Sequence, residues 1–397
     1  MRESIKCSQS FHSSTLLFPS ISSTYLRIFE FQLPFPGPSP TVMILHNTII
    51  ILVTVMGNLL LIGAVFRSNR MKRRKRVTPV QVLMLHLTTA DILFALLTIF
   101  PNLITIITHY EFHGPDSLCR FVKFLQVVPL YSSAFLLVAI SADRYYAICR
   151  PLDSIKMGVY NRPSLYAFIS WSLAGLLSTP QLFLFYKDDQ TKECTAFYAE
   201  PWMYTVYVCV FNTVVWLLPS ALAGIFYTCV CRAVWHSLAI RNTRPRERSD
   251  NYYFPHILRI HIIYIFFEDS KTIDNNFSDV LMPNRANSPG HIRTCELDRR
   301  RIQTVKLTLT IVATNFVLWA PFCLIQVVDA LSPGAINPVV ATYILLFGNL
   351  NSCVNPWMWF IFNRDLMRRA NPFYRLPSTK VSRTELTLTE RPQSKND

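Results

Sequence analysis

The chain has 397 residues, of which 51% are hydrophobic and 16% charged. A soluble protein of this length carries about a quarter charged residues, and here the apolar residues are gathered in long blocks. This composition indicates a membrane protein rather than a large soluble domain. The formal net charge is +15. Because the basic residues flank apolar blocks, the charge indicates membrane topology and not nucleic-acid binding.

Seven apolar segments follow one another along the chain. They cover residues 43–66, 80–107, 117–149, 163–186, 203–235, 303–330 and 337–363. Each reaches the ~20 residues that cross a hydrocarbon core, and in lipid the backbone must satisfy its own hydrogen bonds, which predicts helices. The predicted fold is an all-α membrane protein with a seven-helix bundle in residues 43–372. Residues 1–42 then form an extracellular N-terminal segment, and residues 373–397 form a cytoplasmic tail.

The connections between the segments differ in charge. The first, third and fifth are rich in Lys and Arg, whereas the second, fourth and sixth are mixed or acidic. The positive-inside rule therefore predicts a multi-pass plasma-membrane protein with its N-terminus outside. The long fifth connection, about 236–302, contains an apolar run at 254–267 that is too short to span a bilayer. That run fits an interfacial segment, but we favour a disordered loop or sequence that the mature protein lacks.

Two of the ten cysteines lie in short polar connections, whereas most of the others lie inside apolar segments. On the predicted topology Cys119 and Cys194 both face the oxidising side of the membrane. This predicts a Cys119–Cys194 disulfide, which would tie the second outer loop to the start of the third helix.

Asp91 is the only acidic residue deep in an apolar segment. An intramembrane carboxylate is costly unless it is paired or binds a cation, so it marks a candidate functional site. Partners in other segments would be Ser133, Asn351 and Asn355. The set predicts either a sodium site or a hydrogen-bonded packing cluster without an ion, and no other cofactor is expected.

The sequence Asp143-Arg144-Tyr145 ends the third segment, about one membrane-spanning helix beyond Cys119. Several other polar or kinking residues occur once per segment in a fixed order. They are Asn58, Asp91, Trp171, Pro219, Trp319 with Pro321, and Asn355 with Pro356. This pattern resembles the rhodopsin-like (class A) G-protein-coupled receptors along residues 43–372.

The resemblance implies roles for several residues. Coupling to a heterotrimeric G protein would involve Asp143, Arg144, Tyr145 and Tyr227. The activation switch would involve Trp319, Pro321, Asn355 and Pro356, with intrahelical prolines acting as hinges. A short amphipathic eighth helix is expected at about 364–373. Trp359 stands where the family has a tyrosine, so a hydroxyl that helps to stabilise the active state is missing.

Four stretches, 114–120, 178–183, 319–322 and 351–357, are similar to the vasopressin/oxytocin-type peptide receptors. That similarity implies an extracellular peptide ligand and Gq-type coupling. The expected ligand-binding residues are Lys123, Gln126, Gln181 and Gln326, with Asn102 at a position where the family has a glutamine and Thr98 replacing another. Amide side chains both donate and accept, so they can satisfy the peptide groups of a ligand, although they could instead pair with one another.

Other assignments stay open at this stage. The ligand could belong to a nematode-like relative of this hormone system, or be a neuropeptide S or cardioactive-type peptide. Arrestin is a further expected partner, because the tail contains several Ser and Thr residues that phosphorylation would make anionic. A transporter or channel is a distant alternative, and the sequence has neither an internal repeat nor an enzyme motif to favour such classes.

Overall fold

The computed structural model describes residues 39–71, 77–156, 161–242 and 289–363. Several expectations therefore lie outside the described residues. They concern most of the N-terminal segment 1–42, the apolar run 254–267, the eighth helix at 364–373 and the tail 373–397.

Seven long helices, labelled α1 to α7, make up most of the described structure. Their bounds are Pro40–Met71 (α1), Pro79–Ile107 (α2), Asp116–Cys149 (α3), Asn161–Ser178 (α4), Pro201–Asn212 continued by Thr213–Leu217 and Leu218–Asn242 (α5), Pro289–Leu331 (α6), and Pro338–Gly348 with Leu350–Phe362 (α7). Short helices also occur at Pro151–Lys156 and Gln181–Leu184. The expected fold, a seven-helix membrane bundle, is confirmed.

The helices extend further than the apolar segments predict. α5 runs to Asn242 and α6 begins at Pro289, so both ends of the presumed loop 236–302 are helical. Apolar composition marks only the part of a helix that lies in lipid, whereas a helix can continue into water on its backbone hydrogen bonds. The boundaries drawn from hydropathy were therefore too narrow here.

Six of the helices in the described residues are long and apolar enough to cross a membrane. The seventh, α7, is divided at Asn349 into two pieces of 11 and 13 residues, so neither piece alone reaches a membrane's width. Gly348, at this division, packs directly against Phe322 of α6, and a Cβ on Gly348 would lie 3.2 Å from that side chain. The break in α7 thus lies beside a tight contact with α6.

α3 is the most buried helix and forms the centre of the bundle. Two apolar clusters surround it, one around Leu87, Ile140 and Trp359 and the other around Val127 and Phe322. The outer surfaces of the helices are also apolar, with large exposed side chains such as those of Leu52, Met56, Phe168, Leu176, Val210, Ile225 and Ile361. Apolar residues on both the inside and the outside of a bundle are the pattern that a lipid environment produces.

The two ends of the bundle carry different groups. One, the disulfide end, carries Cys119 and a hairpin of two antiparallel strands, β1 (Phe185–Lys187) and β2 (Cys194–Ala196). The other, the arginine end, carries Arg144 at the opposite end of α3.

Candidate functional site

A disulfide fixes the hairpin to the central helix. Cys119 of α3 is bonded to Cys194 of β2, with 5.7 Å between their Cα atoms. The pairing that the topology predicts is confirmed. It fixes the hairpin to the disulfide end of α3.

Asp116 adds a polar clamp to the disulfide. Its Oδ1 accepts a hydrogen bond from the backbone N–H of Lys187 at 2.7 Å, and its Oδ2 accepts one from Nε of Arg120 at 2.6 Å. Nζ of Lys187 in turn donates to the carbonyl of Gly114 at 2.8 Å. Charge-assisted bonds of this kind are stronger than neutral ones, so the hairpin is held at two points, one covalent and one electrostatic.

Beneath the hairpin, Gln181 reaches the side of α5. Gln181 is 1% exposed, and its Nε2 donates to the hydroxyl of Tyr207, while its Oε1 has no hydrogen-bond partner. The nearby hydroxyl of Tyr198 is buried without a partner too. Burial raises the pKa of Tyr198, so this group stays a neutral phenol that can donate.

Aromatic rings line the route from the hairpin towards the middle of the bundle. The ring of Tyr207 lies 6.1 Å from that of Tyr198 and 6.4 Å from that of Phe211, and Phe211 packs edge-on against Tyr131 at 5.6 Å. These residues carry no distinctive sequence pattern, because aromatic side chains in a membrane helix are usually packing residues. Only their alignment in space distinguishes them.

Gln326 of α6 was expected in the pocket, and it lies 3% exposed beside Asn212 of α5. Nδ2 of Asn212 donates to Oε1 of Gln326 at 3.2 Å. Nε2 of Gln326 and Oδ1 of Asn212 are both buried without partners. Asn212 was not predicted as a site residue, since a single asparagine between apolar residues forms no recognisable motif.

The other expected ligand residues lie at the same end but have different surroundings. Nζ of Lys123 is 5.2 Å from the centre of the Phe185 ring, a cation–π distance. Gln126 is 6% exposed, and its backbone carbonyl accepts a hydrogen bond from Thr98 at 2.7 Å. Thr98 thus ties α2 to α3. Asn102 is half-buried near the end of α2.

Midway along the bundle, Asp91 is 2% exposed and accepts a hydrogen bond from Nδ2 of Asn355 at 3.0 Å. Asn351 is buried on α7, and Ser133 is half-buried on α3. Within the described residues there is no group of three or more His, Cys, Asp or Glu side chains that could hold a metal. A cation here would therefore depend on one carboxylate and neutral oxygen atoms.

The expected switch residues lie on α6 and α7. Trp319 packs edge-on against Phe322 at 5.0 Å and against Phe94 at 6.5 Å. Pro321 lies inside α6 and Pro356 inside α7. A further proline, Pro129, lies inside α3 and was not among the predicted hinges.

At the arginine end, Asp143 is fully buried and forms ion pairs with both Arg144 and Arg162. Arg162 is 2% exposed and also donates to the hydroxyl of Ser154 at 2.6 Å. In the sequence, Arg162 counts only as one of the basic residues of the third connection that indicate membrane orientation. Its position at the start of an apolar segment was the signal that could have marked it, because a charge there needs a partner.

The remaining coupling residues lie next to this ion pair. Tyr145 packs against Phe226 of α5 at 5.6 Å. Tyr227 is 3% exposed and packs against Val230 and Val305, and its hydroxyl lies close to Ser141 and Thr308. Within the described residues, Nε of Arg144 has no hydrogen-bond partner. The expected groups are therefore together, with Arg144 held by Asp143.

Comparison with known proteins agrees with this geometry. Residues 57–359 match the model of the 7 transmembrane receptor (rhodopsin family). The chain is 50% identical over 369 residues to nematocin receptor 1 of Caenorhabditis elegans, covering 90% of this chain and 91% of that protein. It is 33% identical to cephalotocin receptor 1 of Octopus vulgaris, covering 79% and 76%. It is 30% identical to the human vasopressin V1b receptor, covering 81% and 72%.

Proposed function

Because the chain belongs to the rhodopsin family of seven-transmembrane receptors, we propose that it binds a vasopressin/oxytocin-like neuropeptide and signals through a heterotrimeric G protein. The observation that carries the peptide assignment is the set of buried amides at the disulfide end. Among the described residues, Gln181, Asn212 and Gln326 each keep one amide atom without a partner. A ligand rich in peptide groups supplies both the donors and the acceptors that these atoms lack.

The orientation follows from charge and redox chemistry. The disulfide end faces outside, where a disulfide persists, and the arginine end faces the cytoplasm, in agreement with the basic connections. The receptor then lies in the plasma membrane with its N-terminus outside, and the peptide enters beside the hairpin. The peptide contacts Lys123, Gln126, Asn102 and the buried amides.

We infer the activation mechanism from the positions of Pro321 in α6 and Arg144 in α3. A peptide shifts the equilibrium only by its preference for one of two states. In the active state α6 swings outward at Pro321, and Arg144 leaves Asp143 to engage Tyr227 and the Gα subunit. At rest Nε of Arg144 has no hydrogen-bond partner within the described residues, so it can donate to a new acceptor. Gq-type coupling is favoured by the resemblance to vasopressin/oxytocin-type receptors, and arrestin would bind the phosphorylated tail.

We also propose a sodium ion beside Asp91, with Ser133, Asn351 and Asn355 as the other oxygen donors. A carboxylate that is 2% exposed with a single amide donor is expensive when ionised, and a monovalent cation would offset that cost. Sodium would stabilise the resting state. Raising sodium at constant ionic strength should weaken agonist binding to the natural receptor and leave the Asp91→Asn variant unaffected.

Membership of a receptor family places the chain apart from enzymes and transporters. The direct test is intracellular calcium in cells that display the chain, challenged with vasopressin/oxytocin-like cyclic peptides, neuropeptide S and cardioactive peptides. A saturable response to a vasopressin/oxytocin-like peptide that is lost in Gln126→Ala supports the proposal, whereas a response only to neuropeptide S or a cardioactive peptide overturns the proposed ligand class. Silence to every peptide, with surface display confirmed, would overturn it.

A further inference from the structure

Asn212 and Gln326 are two buried amides joined by a single hydrogen bond. Nδ2 of Asn212 donates to the carbonyl of Val208 at 2.8 Å and to Oε1 of Gln326 at 3.2 Å. Both of these partners are acceptors, so the amide of Asn212 must present its nitrogen to them. Turning the amide of Gln326 would set two NH₂ groups against each other. The orientation of both side chains is therefore determined by their hydrogen bonds.

This arrangement leaves one acceptor and one donor side by side. Oδ1 of Asn212 and Nε2 of Gln326 have no partner in the part of the chain that the structure describes, although both residues are 3% exposed. Two amides can pair through two reciprocal hydrogen bonds, which would satisfy both groups. Here only one of those two hydrogen bonds is formed. Buried polar groups without partners are rare in folded proteins and call for a ligand or a bound water.

The local backbone supports a binding role for this pair. A π-helical turn, Thr213–Leu217, begins immediately after Asn212 and changes the register of α5 at this point. Such turns within α-helices occur frequently at functional sites. About two helical turns earlier on α5, Thr205 donates to the carbonyl of Ala330 at 2.9 Å and ties α5 to α6. The two amides are thus held at a fixed helix contact.

We propose that Asn212 and Gln326 form a subsite for one neutral amide group of the peptide ligand. The carbonyl of that amide accepts from Nε2 of Gln326, and its N–H donates to Oδ1 of Asn212. A carboxylate has no proton for Oδ1, and an ammonium group has no acceptor for Nε2, so the pair selects an amide. This inference rests on the proposed peptide-receptor function and names which chemical group the site distinguishes.

The test uses the peptide of the calcium panel that activates the receptor most potently. Asn212→Leu and Gln326→Met each remove one half of the subsite and should lower its potency at least tenfold. Thr213→Val is the matched control, because Thr213 is exposed and donates only to the carbonyl of Cys209 in its own helix. That variant should keep natural potency. Surface display is measured for each variant, and Gln326→Met carries the test if Asn212→Leu does not reach the surface.

A second arm separates ligand contact from an indirect effect on folding. Each amide of the peptide, in the backbone or in a side chain, is replaced in turn by an ester, which removes the N–H donor. One ester analogue should lose at least tenfold in potency on the natural receptor but less than threefold on Asn212→Leu. A structural role for Asn212 would not produce this coupling.

Two results would overturn the subsite. One is unchanged potency in both variants at natural surface display. The other is an equal loss for every ester analogue on the natural receptor and on Asn212→Leu, which would mean that the pair holds only a water molecule. Silence of the natural receptor to the whole panel is a different result, seen before any variant is made, and it would refute the proposed function itself.

Discussion

Nη2 of Arg162 lies 2.7 Å from Oδ1 of Asp143, the same carboxylate that pairs with Arg144, so one buried acid holds two arginines. Arg162 also reaches Ser154 in the short helix Pro151–Lys156. The resting position of Arg144 therefore depends on α4 and on the connection after α3, as well as on its neighbour in the chain.

Arg162→Ala should destabilise the receptor by about 3 kcal/mol, because it breaks a buried ion pair and leaves Asp143 with one partner fewer. Thermal unfolding of detergent-solubilised protein measures the effect. Arg150→Ala is the control, since Arg150 is exposed and its side chain makes only surface contacts, an ion pair with Asp153 and a hydrogen bond to Tyr145. It should unfold like the natural protein. Equal midpoints for all three proteins would contradict a structural role for Arg162.

Asp143→Asn should raise signalling in the absence of peptide severalfold. The change removes the charge that holds Arg144, and the freed arginine populates the coupling position more often. Basal inositol phosphate in cells with matched surface display gives the measurement. Arg144→Ala supplies the opposite case, in which peptide binding persists and signalling is lost, and undiminished signalling there would refute the role of Arg144.

Asp116→Ala should lower peptide potency about tenfold, because Asp116 joins the hairpin to α3 through Lys187 and Arg120. Asp188→Ala is the matched control in the same loop. Asp188 bonds only to the neighbouring Gln190 and Thr191, so its loss should leave the dose–response curve in place. Equal potencies for the two variants would show that the disulfide alone positions the hairpin.

Gly348→Ala should cost about 1–3 kcal/mol of stability, as small-to-large changes in packed cores do. The added methyl would lie 3.2 Å from Phe322, whose ring packs edge-on against Trp319. In Gly224→Ala the new methyl meets nothing within 4 Å, so that variant should be neutral or slightly stabilised by better helix propensity. Thermal midpoints of the two variants compare the sites directly, and a neutral Gly348→Ala would disprove the tight α6–α7 contact.

Much of the bundle could be predicted from the sequence. Seven apolar segments, the basic connections and the Cys119–Cys194 pairing all follow from transfer energies and compartment chemistry, which act on each segment separately. The helix ends were misplaced, as α5 and α6 show, because a helix can outlast its apolar stretch. The break of α7 at Asn349 was missed for a related reason, since hydropathy averages over it.

The sequence by itself determined the family pattern, the number of membrane helices and most of the residues at each end. Only the tertiary structure decided which polar atoms meet. Asn212 beside Gln326, and Arg162 beside Asp143, are separated by 114 and 19 residues, and neither pair has a local pattern. Hydrogen bonds and ion pairs act over a few ångströms, so they depend on how the helices pack against one another, which no single stretch of the chain encodes.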